Sequence, residues 1–473
     1  MRGGKPIAEK PWQRVSFAQF HDAIPGSSIR DVYAEFNPEL KAIGDQALKS
    51  ATDELSGAGR HYVVFNPLPI ARTVAVELPK ASGYASDGIA LPQQIVGSGK
   101  AARSLALVTL PGLGSVQVQV APRERTAAIE ASPRLLHNGI LRAEFDARGR
   151  LSRLLVDGED LGLSAPAGLR MYRDVPANYD AWDIDHQAFK LGCEVADDLR
   201  LQVVEQGPAR AVLRAKSAIG ERSSLVIDYM LESGSRWLRV EMSIEWRERH
   251  QLLKFHVPTA WRGTHARFGL PFGSIARSQL PGIEKDEAAW EVPGSRWAAV
   301  GDDAGHGLAI CTEAKFGFSC RDGDLGLSLL RSPTSPDPEA DQGTHRIRIA
   351  IGRHRAHSDA TQLATAAAAD ALFVPAIVAR GGKTPIAPAT WHATGSLTPS
   401  WALPSTTGAG FVLRAHETNG ESGTAILELS EPAKSVSLVN LLEKRTGSVI
   451  KLRKNRYAVR YGPYQIISVL VRR

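Results

Sequence analysis

The chain has 473 residues, with 57 Lys and Arg against 50 Asp and Glu, and a formal net charge of +7. A hydrophobic content of 43% and a charged content of 23% are ordinary for a soluble globular protein, and the length predicts about three domains. The basic residues are spread along the chain without a recognisable nucleic-acid-binding motif, which argues against a nucleic-acid-binding protein.

The cysteines and the N-terminal residues indicate the cellular compartment of the protein. Cys193, Cys311 and Cys320 form no CxxC pair and leave one thiol over, which is typical of reduced thiols in a cytoplasmic protein. The N-terminus shows no apolar segment of a secretory signal. No stretch reaches the roughly 18 apolar residues of a membrane helix. The sequence therefore predicts a cytoplasmic protein that is not embedded in a membrane.

The beginning of the chain has a helical pattern. Apolar residues recur every three or four positions over 12–24, and a Pro-Gly pair at 25–26 is expected to end that helix. One of the two serines at 27–28 is expected to cap the next helix. An Asn-Pro pair at 37–38 is then expected to start a further helix that continues to about residue 56.

From residue 61 onward, short stretches of alternating polar and apolar residues predict strands. The clearest are a hairpin of 141–146 with 151–155 and a long strand over 237–246. An alanine-rich stretch over 364–371 fits either a helix or a connection between strands. A stretch rich in Pro, Gly and Thr over 381–404 predicts a linker or an open loop.

The predicted fold class is mainly β, with a short N-terminal helical segment followed by β-sandwich domains. Four segments follow from the change in pattern along the chain. They are a helical segment at 1–58, a small β domain at 59–130, a large β-sandwich domain at 131–380, and a linker with a C-terminal β domain at 381–473.

His21 and Asp22 stand side by side just before the Pro-Gly pair. On a helix such a pair is more often a structural hydrogen bond than a metal site. A neutral imidazole can bind zinc, but zinc takes about four ligands in total, so His21 would need partners elsewhere. His357 and Asp359 have chelating spacing, but neighbouring positive charges oppose a cation there, and we interpret them as part of a solvated loop.

An acidic and aromatic loop over 174–185 contains Asp180, Trp182 and Asp183. Sugar sites combine an aromatic face for the apolar ring carbons with carboxylates for the hydroxyls, so this loop suits a carbohydrate. A solvated acidic loop, or one that binds calcium, explains the same composition equally well.

A second polar loop contains Arg331, Asp341 and His345. Loops on a rigid β scaffold often carry binding residues. We expect Arg331 to form an ion pair that tethers this long loop, and we keep Asp341 as a candidate for binding.

Taken together, five strings resemble the α-mannosidases of glycoside hydrolase family 38, most closely the cytosolic and bacterial type. The strings lie, in order, at 19–28, 64–67, 174–185, 291–297 and 329–345. The resemblance implies that His21 is a zinc ligand and that Asp22 binds substrate hydroxyls. It also implies a retaining hydrolase, in which one carboxylate attacks the sugar and a second carboxylic acid protonates the leaving oxygen. Asp180, Trp182, Asp183 and Asp341 are the further candidates for substrate binding.

The family's catalytic barrel lies upstream of the string that matches 19–28. It carries a His-x-Asp ligand pair, the nucleophile and the general acid, and we find no counterpart of them in this sequence. We therefore expect the C-terminal part of a zinc-dependent α-mannosidase acting on α-mannoside oligosaccharides, with one zinc ligand here and no nucleophile or general acid. A separate chain that carries the barrel is a candidate partner. The alternative is a non-catalytic carbohydrate-binding β-sandwich protein.

Overall fold

The computed structural model describes residues 9–124, 126–196, 198–280, 282–302, 305–359, 361–392, 394–408 and 410–473. Strands predominate after two N-terminal helices, so the predicted fold class is confirmed. Two shorter helices, Glu284–Glu287 and Thr365–Phe373, and two 3-10 turns, Gly99–Ala101 and His186–Leu191, complete the helical part. Within the described ranges no helix has the length and apolarity required to cross a membrane. The three cysteines are free, as expected.

The first helix, Glu9–Phe17, ends well before the Pro-Gly pair because residues 18–26 form a series of tight turns. The second helix, Arg30–Leu55, is continuous, so the predicted start of a new helix at 37–38 is wrong. Its N-cap is Ile29, which offers no side-chain cap. The serine-cap prediction is therefore also wrong.

Contacts between the two helices explain why the second continues through Pro38. A proline inside a helix removes one backbone hydrogen bond and costs roughly 3 kcal/mol. Arg14 of the first helix pairs with Glu39 at 2.6 Å and with Glu35 at 3.3 Å, on either side of the proline. Phe17 packs edge-on against Phe36, with ring centroids 5.6 Å apart. These contacts favour a straight helix that the local sequence disfavours.

Two small antiparallel sheets follow the long helix and share one core. The five-stranded sheet consists, in spatial order, of Ile377–Arg380, Tyr62–Phe65, Ser115–Val120, Tyr84–Ser86 and Ile89–Ala90. The three-stranded sheet consists of Arg72–Pro79, Arg103–Leu110 and Gln93–Val96. The edge strand at 377–380 returns from far along the chain, so this sheet is not local in sequence.

The largest unit contains three antiparallel sheets around one continuous core. The first consists of Glu159–Asp160, Leu151–Val156, Leu141–Phe145, Leu135–His137 and Glu130–Ser132. The six-stranded sheet consists of Gly192–Val195, Gly168–Arg173, Gln251–Pro258, Asp324–Leu330, Gly317–Arg321 and Val292–Pro293. The nine-stranded sheet consists of Gln202–Gln206, Arg210–Ile219, Ser223–Glu232, Trp237–Trp246, Gly343–Arg353, Gly307–Thr312, Trp297–Gly301, His265–Leu270 and Gly273–Ser278.

Two predictions within this unit are confirmed and one ambiguity is resolved. The hairpin forms between Leu141–Phe145 and Leu151–Val156, and the long strand spans Trp237–Trp246. The alanine-rich stretch is the helix Thr365–Phe373. Small side chains let this helix pack closely, and its residues form a separate core with the nine-stranded sheet.

The C-terminal unit is a sandwich of two antiparallel sheets around its own core. One sheet consists of Ala389–His392, Gly423–Leu429, Arg456–Tyr461 and Ile450–Arg453. The other consists of Leu397–Pro404, Gly410–Glu417, Ile466–Arg472, Ser435–Val439 and Arg445–Ser448. The strands at 389–392 and 397–404 lie in the stretch predicted to be a linker or an open loop, so that prediction is wrong for these two segments. The division of the chain into four segments stays a prediction.

Candidate functional site

Three connections meet at one edge of the six-stranded sheet. Strand pairing places Arg173 opposite Gln251, and Leu253 opposite Leu330. The strand Gly168–Arg173 therefore ends beside the start of Gln251–Pro258, and Asp324–Leu330 ends beside the same start. Because side chains that follow paired strand ends lie close together, the acidic loop over 174–185 and the polar loop over 331–342 share this edge.

The segment that contains His21 and Asp22 lies beside the polar loop. Tyr33, on the first turn of the long helix, hydrogen-bonds to the first and is near enough to the second for the charges of Asp337 and Asp341 to act on its hydroxyl. Its hydroxyl accepts a hydrogen bond from the Ser28 amide at 2.9 Å and lies 3.3 Å from the carbonyl oxygen of Asp22. Burial raises the pKa of Tyr33, and the negative charges of Asp337, Asp22 and Asp341 raise it further. The Tyr33 hydroxyl is therefore protonated at neutral pH and can hold the turns of 22–28 in place.

His21 and Asp22 are both open to solvent. The His21 Nε2 lies 3.5 Å from the Asp22 Oδ1, and the side chains are 77% and 51% exposed. The imidazole also packs against the Phe20 ring, with centroids 4.5 Å apart. No other polar side-chain contact engages either residue within the described part of the chain. Both side chains are therefore free to bind a ligand.

Asp174 and Arg331 form a buried ion pair that joins the two loops. The Asp174 carboxylate is 2% exposed and accepts hydrogen bonds from the guanidinium Nε and Nη2 of Arg331. The same guanidinium donates to the carbonyl oxygen of Asp183. Burial raises the pKa of Asp174, and the charge of Arg331 opposes that rise. Arg331 tethers its loop as expected, and its acidic partner is Asp174.

Asp180 is a second tie between the loops. Its Oδ2 accepts hydrogen bonds from the Thr334 amide at 2.7 Å and the Ser335 amide at 3.1 Å, and lies 3.1 Å from the His250 Nε2. Burial raises the pKa of Asp180, but these hydrogen bonds and the histidine outweigh burial and hold the pKa below its usual value. One of its two carboxylate oxygens is thus fully occupied by the fold.

Asp341 closes the polar loop from its other end. Its Oδ2 accepts hydrogen bonds from the Arg331 amide at 2.8 Å and the Ser332 amide at 3.1 Å. Its carbonyl oxygen lies 2.7 Å from the His345 Nε2. As with Asp180, these bonds occupy one carboxylate oxygen and leave the other for a ligand.

The tip of the acidic loop presents aromatic rings to solvent. Tyr179 is 71% exposed and Trp182 is 53% exposed. Asp183 is also exposed, and its carboxylate has no hydrogen-bond or ion-pair partner in the residues that the structure describes. An exposed indole next to a free carboxylate has the composition of a carbohydrate-binding surface, with an apolar face for ring carbons and an acceptor for hydroxyls.

No group of three His, Cys, Asp or Glu side chains in the described ranges is arranged to hold a metal ion. His21 is one exposed imidazole, and zinc takes about four ligands, so the described residues do not form a complete zinc site. His357 instead pairs with Glu421 at 2.7 Å, and Asp359 accepts hydrogen bonds from its own loop. That pair lies in an exposed loop, as interpreted from the sequence.

Sequence reasoning missed three residues that organise this site: Tyr33, Asp174 as the partner of Arg331, and His250. Tyr33 lies in a stretch that the sequence predicted only to be helical. His250 directly precedes a strand, and its partner Asp180 is 70 residues away in sequence. Strand pairing, which local sequence does not specify, brings His250 to Asp180 and Asp174 to Arg331.

Family models match two parts of the chain. The model described as the glycosyl hydrolases family 38 C-terminal domain matches residues 136–339, and the alpha mannosidase middle domain matches residues 5–56. The second match covers His21 and Asp22, and the first covers the acidic loop and the polar loop as far as residue 339, so Asp341 lies just outside it. The site therefore lies where a middle domain and a C-terminal domain of a glycoside hydrolase meet.

Individual relatives agree with these matches. Alpha-mannosidase 2C1 from Homo sapiens is 28% identical over 489 residues, which cover 97% of this chain and 45% of the relative. Alpha-mannosidase G from Dictyostelium discoideum is 25% identical and covers 74% of this chain and 37% of its own length. This chain thus spans less than half the length of these curated relatives. It belongs to glycoside hydrolase family 38, where it corresponds to the C-terminal portion of an α-mannosidase.

Solved structures share the fold. A protein in glycosyl hydrolase family 38 from Enterococcus faecalis superposes with a TM-score of 0.74 at 15% identity, covering 98% of this chain and 65% of its own. An alpha-mannosidase from Enterococcus faecalis V583 also superposes with a TM-score of 0.74, at 16% identity, covering 98% of this chain and 63% of its own. The arrangement of helices and sheets described above is therefore that of a larger family 38 protein.

Proposed function

We propose that this chain forms the C-terminal part of a zinc-dependent retaining α-mannosidase that hydrolyses terminal α-mannosides in oligosaccharides. His21 serves as one zinc ligand and Asp22 binds a substrate hydroxyl. The observation that carries the proposal is the exposed His21–Asp22 pair, whose side chains are unoccupied while Tyr33 holds the surrounding turns.

The remaining parts of the active site are assigned to a region outside this sequence. A retaining glycosidase needs two carboxyl groups about 5–5.5 Å apart, one as nucleophile and one as acid. We assign the nucleophile, the general acid and the other zinc ligands to a catalytic barrel, supplied by another part of the enzyme or by a separate chain. A bound zinc ion would polarise the sugar hydroxyls that it contacts. The described residues would supply one imidazole, that of His21, to such a zinc ion.

The role of the described residues is to bind and orient the sugar. The Trp182 ring offers an apolar face, and the Asp183 carboxylate can accept hydrogen bonds from hydroxyls. Asp180 and Asp341 each keep one carboxylate oxygen for the substrate while the other oxygen holds the loop. Because the buried Asp174–Arg331 pair fixes both loops, these groups are positioned before the substrate arrives, which lowers the entropic cost of binding.

The first experiment is hydrolysis of an aryl α-mannoside by the purified chain in the presence of zinc. We expect no turnover, because one histidine and one aspartate cannot supply both the metal site and the carboxyl pair. Turnover that a chelator abolishes would show that the nucleophile and the zinc ligands lie within this sequence, and would overturn the division of labour proposed here.

The zinc role of His21 is tested in the enzyme assembled with its catalytic part. We expect His21→Ala to remove zinc, as measured by metal analysis after dialysis. His357→Ala is the matched control, because His357 is also exposed but pairs with Glu421. Full zinc occupancy in His21→Ala would refute the ligand assignment.

The exposed rings of Tyr179 and Trp182 favour one alternative, a carbohydrate-binding protein without catalytic function. Titration of the chain with mannobiose, with and without zinc, separates the two functions. Saturable binding that is independent of zinc and is lost in Trp182→Ala would favour the binding protein. Binding that requires zinc and His21 would favour the hydrolase.

A further inference from the structure

A cavity of about 660 Å³ lies between the small β unit, the nine-stranded sheet and the helix Thr365–Phe373. Its volume is within the range of small-molecule sites. It shares no lining residue with the loops and the helical segment of the site described above. Six arginines contribute to its wall: Arg72, Arg236, Arg239, Arg348, Arg353 and Arg355.

The arginines differ in how their charges are balanced. Four of them each have their own carboxylate within 3.1 Å. The pairs are Arg236–Asp157, Arg348–Glu313, Arg353–Glu159 and Arg355–Asp359. Arg72 has no carboxylate partner within the described ranges. Arg239 reaches Glu232 only at 3.6 Å. In the described part of the chain, Arg72 and Arg239 are therefore neighbouring guanidinium groups with one ion pair between them, from Arg239 to Glu232. Among the described residues, the two carboxylates in the cavity wall are Glu77 and Glu232, against six arginines.

Arg72 is a buried charge with neutral partners. Its side chain donates to the Asn66 Oδ1 at 3.0 Å and to the carbonyl oxygens of Ala371 and Val374 at 2.6 and 2.5 Å. Its Nη2 is buried without a hydrogen-bond partner. Burial and the charge of Arg239 lower the pKa of Arg72 to about 10, so it remains protonated at neutral pH. A buried charge without a counter-charge is unfavourable, and an anion in the cavity would relieve it.

Arg239 supplies the donors for such an anion. Its side chain is 18% exposed, and it makes no hydrogen bond among the residues that the structure describes. Its guanidinium lies 5.8 Å from the centroid of the Phe373 ring. A guanidinium carries five donors in a fork that matches the oxygens of a phosphate, so Arg239 can bind one without losing a hydrogen bond of the fold.

We propose that this cavity binds a phosphate monoester of a sugar-sized molecule. Arg239 contacts the phosphate directly, and Arg72 provides buried positive charge behind it. The rings of Trp237 and Phe373 and the polar side chains of Ser235 and Gln362 line the remaining space for the body of the ligand. The site is independent of the mannosidase proposal, because it involves none of its residues.

The test is isothermal titration of the purified chain with glucose 6-phosphate, and separately with glucose and with inorganic phosphate. We expect saturable binding of glucose 6-phosphate that weakens about tenfold or more in Arg239→Gln, since hydrogen bonds to charged groups are the stronger ones. The control is Arg214→Gln on the same sheet, whose arginine pairs with Asp228 at 2.7 Å and does not line the cavity. Circular dichroism verifies that both variants are folded.

A second variant is expected to tighten ligand binding instead of weakening it. Glu232→Gln removes the carboxylate that competes with the anion for Arg239, so we expect it to tighten binding. Absence of saturable binding at millimolar ligand, or equal weakening by Arg239→Gln and Arg214→Gln, would overturn the site. Equal affinity for inorganic phosphate and glucose 6-phosphate would overturn the assignment to a monoester.

Discussion

Two histidine–aspartate pairs in this chain have different surroundings. In one, the His250 Nε2 lies 3.1 Å from the Asp180 Oδ2, which also accepts hydrogen bonds from two backbone amides. In the other, His21 and Asp22 lie 3.5 Å apart and have no further polar side-chain partner among the described residues. The first pair holds two loops together, whereas the imidazole and carboxylate of the second pair are available to bind a ligand. Residue type alone does not distinguish a structural pair from a functional one.

The two pairs also differ in how they form. His21 and Asp22 are adjacent in sequence, and the tight turns before the long helix turn both outward. His250 and Asp180 are brought together by strand pairing at the edge of the six-stranded sheet. We therefore expect substitutions in the buried loop network to lower stability. Substitutions of His21 and Asp22 are expected to affect ligand binding and leave stability nearly unchanged.

The largest effect is expected at the buried ion pair. Asp174→Ala leaves the Arg331 guanidinium buried without its carboxylate, and we expect the free energy of unfolding to fall by about 3 kcal/mol. Urea denaturation measures it. Asp183→Ala is the matched control on the same loop and should change stability by no more than about 0.5 kcal/mol. Similar losses in both variants would show that the network does not depend on this pair.

Asp180→Asn should have the next largest effect, because it places an amide nitrogen or a weaker acceptor opposite several donors. We expect a loss of about 1–2 kcal/mol at neutral pH. The folded-state pKa of Asp180 is lowered, so its stabilisation is present above the unfolded pKa of about 3.9 and is lost as the pH falls through the folded value. Unfolding measured from neutral to acid pH should therefore show the two proteins converging at low pH. A constant difference would exclude an ionised Asp180 as the cause.

Tyr33→Phe tests the hydrogen bonds that hold the turns of 22–28. It removes the hydroxyl that accepts from the Ser28 amide, and we expect a loss of about 1 kcal/mol. Hydrogen exchange of the Ser28 amide should increase in the variant. Unchanged protection would indicate that Tyr33 does not hold the turns that carry Asp22.

The smallest effect on stability is expected at the exposed pair. His21→Ala and Asp22→Ala should each change the free energy of unfolding by no more than about 0.5 kcal/mol, in contrast with Asp180→Asn. Thermal or urea denaturation under the same conditions makes the comparison. A loss similar to that of Asp180→Asn would show that His21 and Asp22 are structural and would remove the basis for their proposed role.

Local pattern predicted the strands whose alternation matches their environment. In Trp237–Trp246 every second residue is buried, so the period of two identifies it directly. The strand Leu397–Pro404 was predicted as linker because it contains two prolines and few alternating apolar residues. It lies at the edge of its sheet and carries a register shift between Pro399 and Trp401, a position where proline is tolerated.

The sequence by itself determined the mainly β fold class, the helical start, the hairpin at 141–156 and the strings that resemble family 38. It also identified His21, Asp22 and both loops as candidates, because these features depend on neighbouring residues. Only the tertiary structure decided that the long helix continues through Pro38, that Asp174 is the partner of Arg331 and that Asp180 belongs partly to the scaffold. The physical reason is that burial and hydrogen-bond satisfaction depend on residues far apart in the chain, such as Asp174 and Arg331 at 157 positions, which local patterns do not specify.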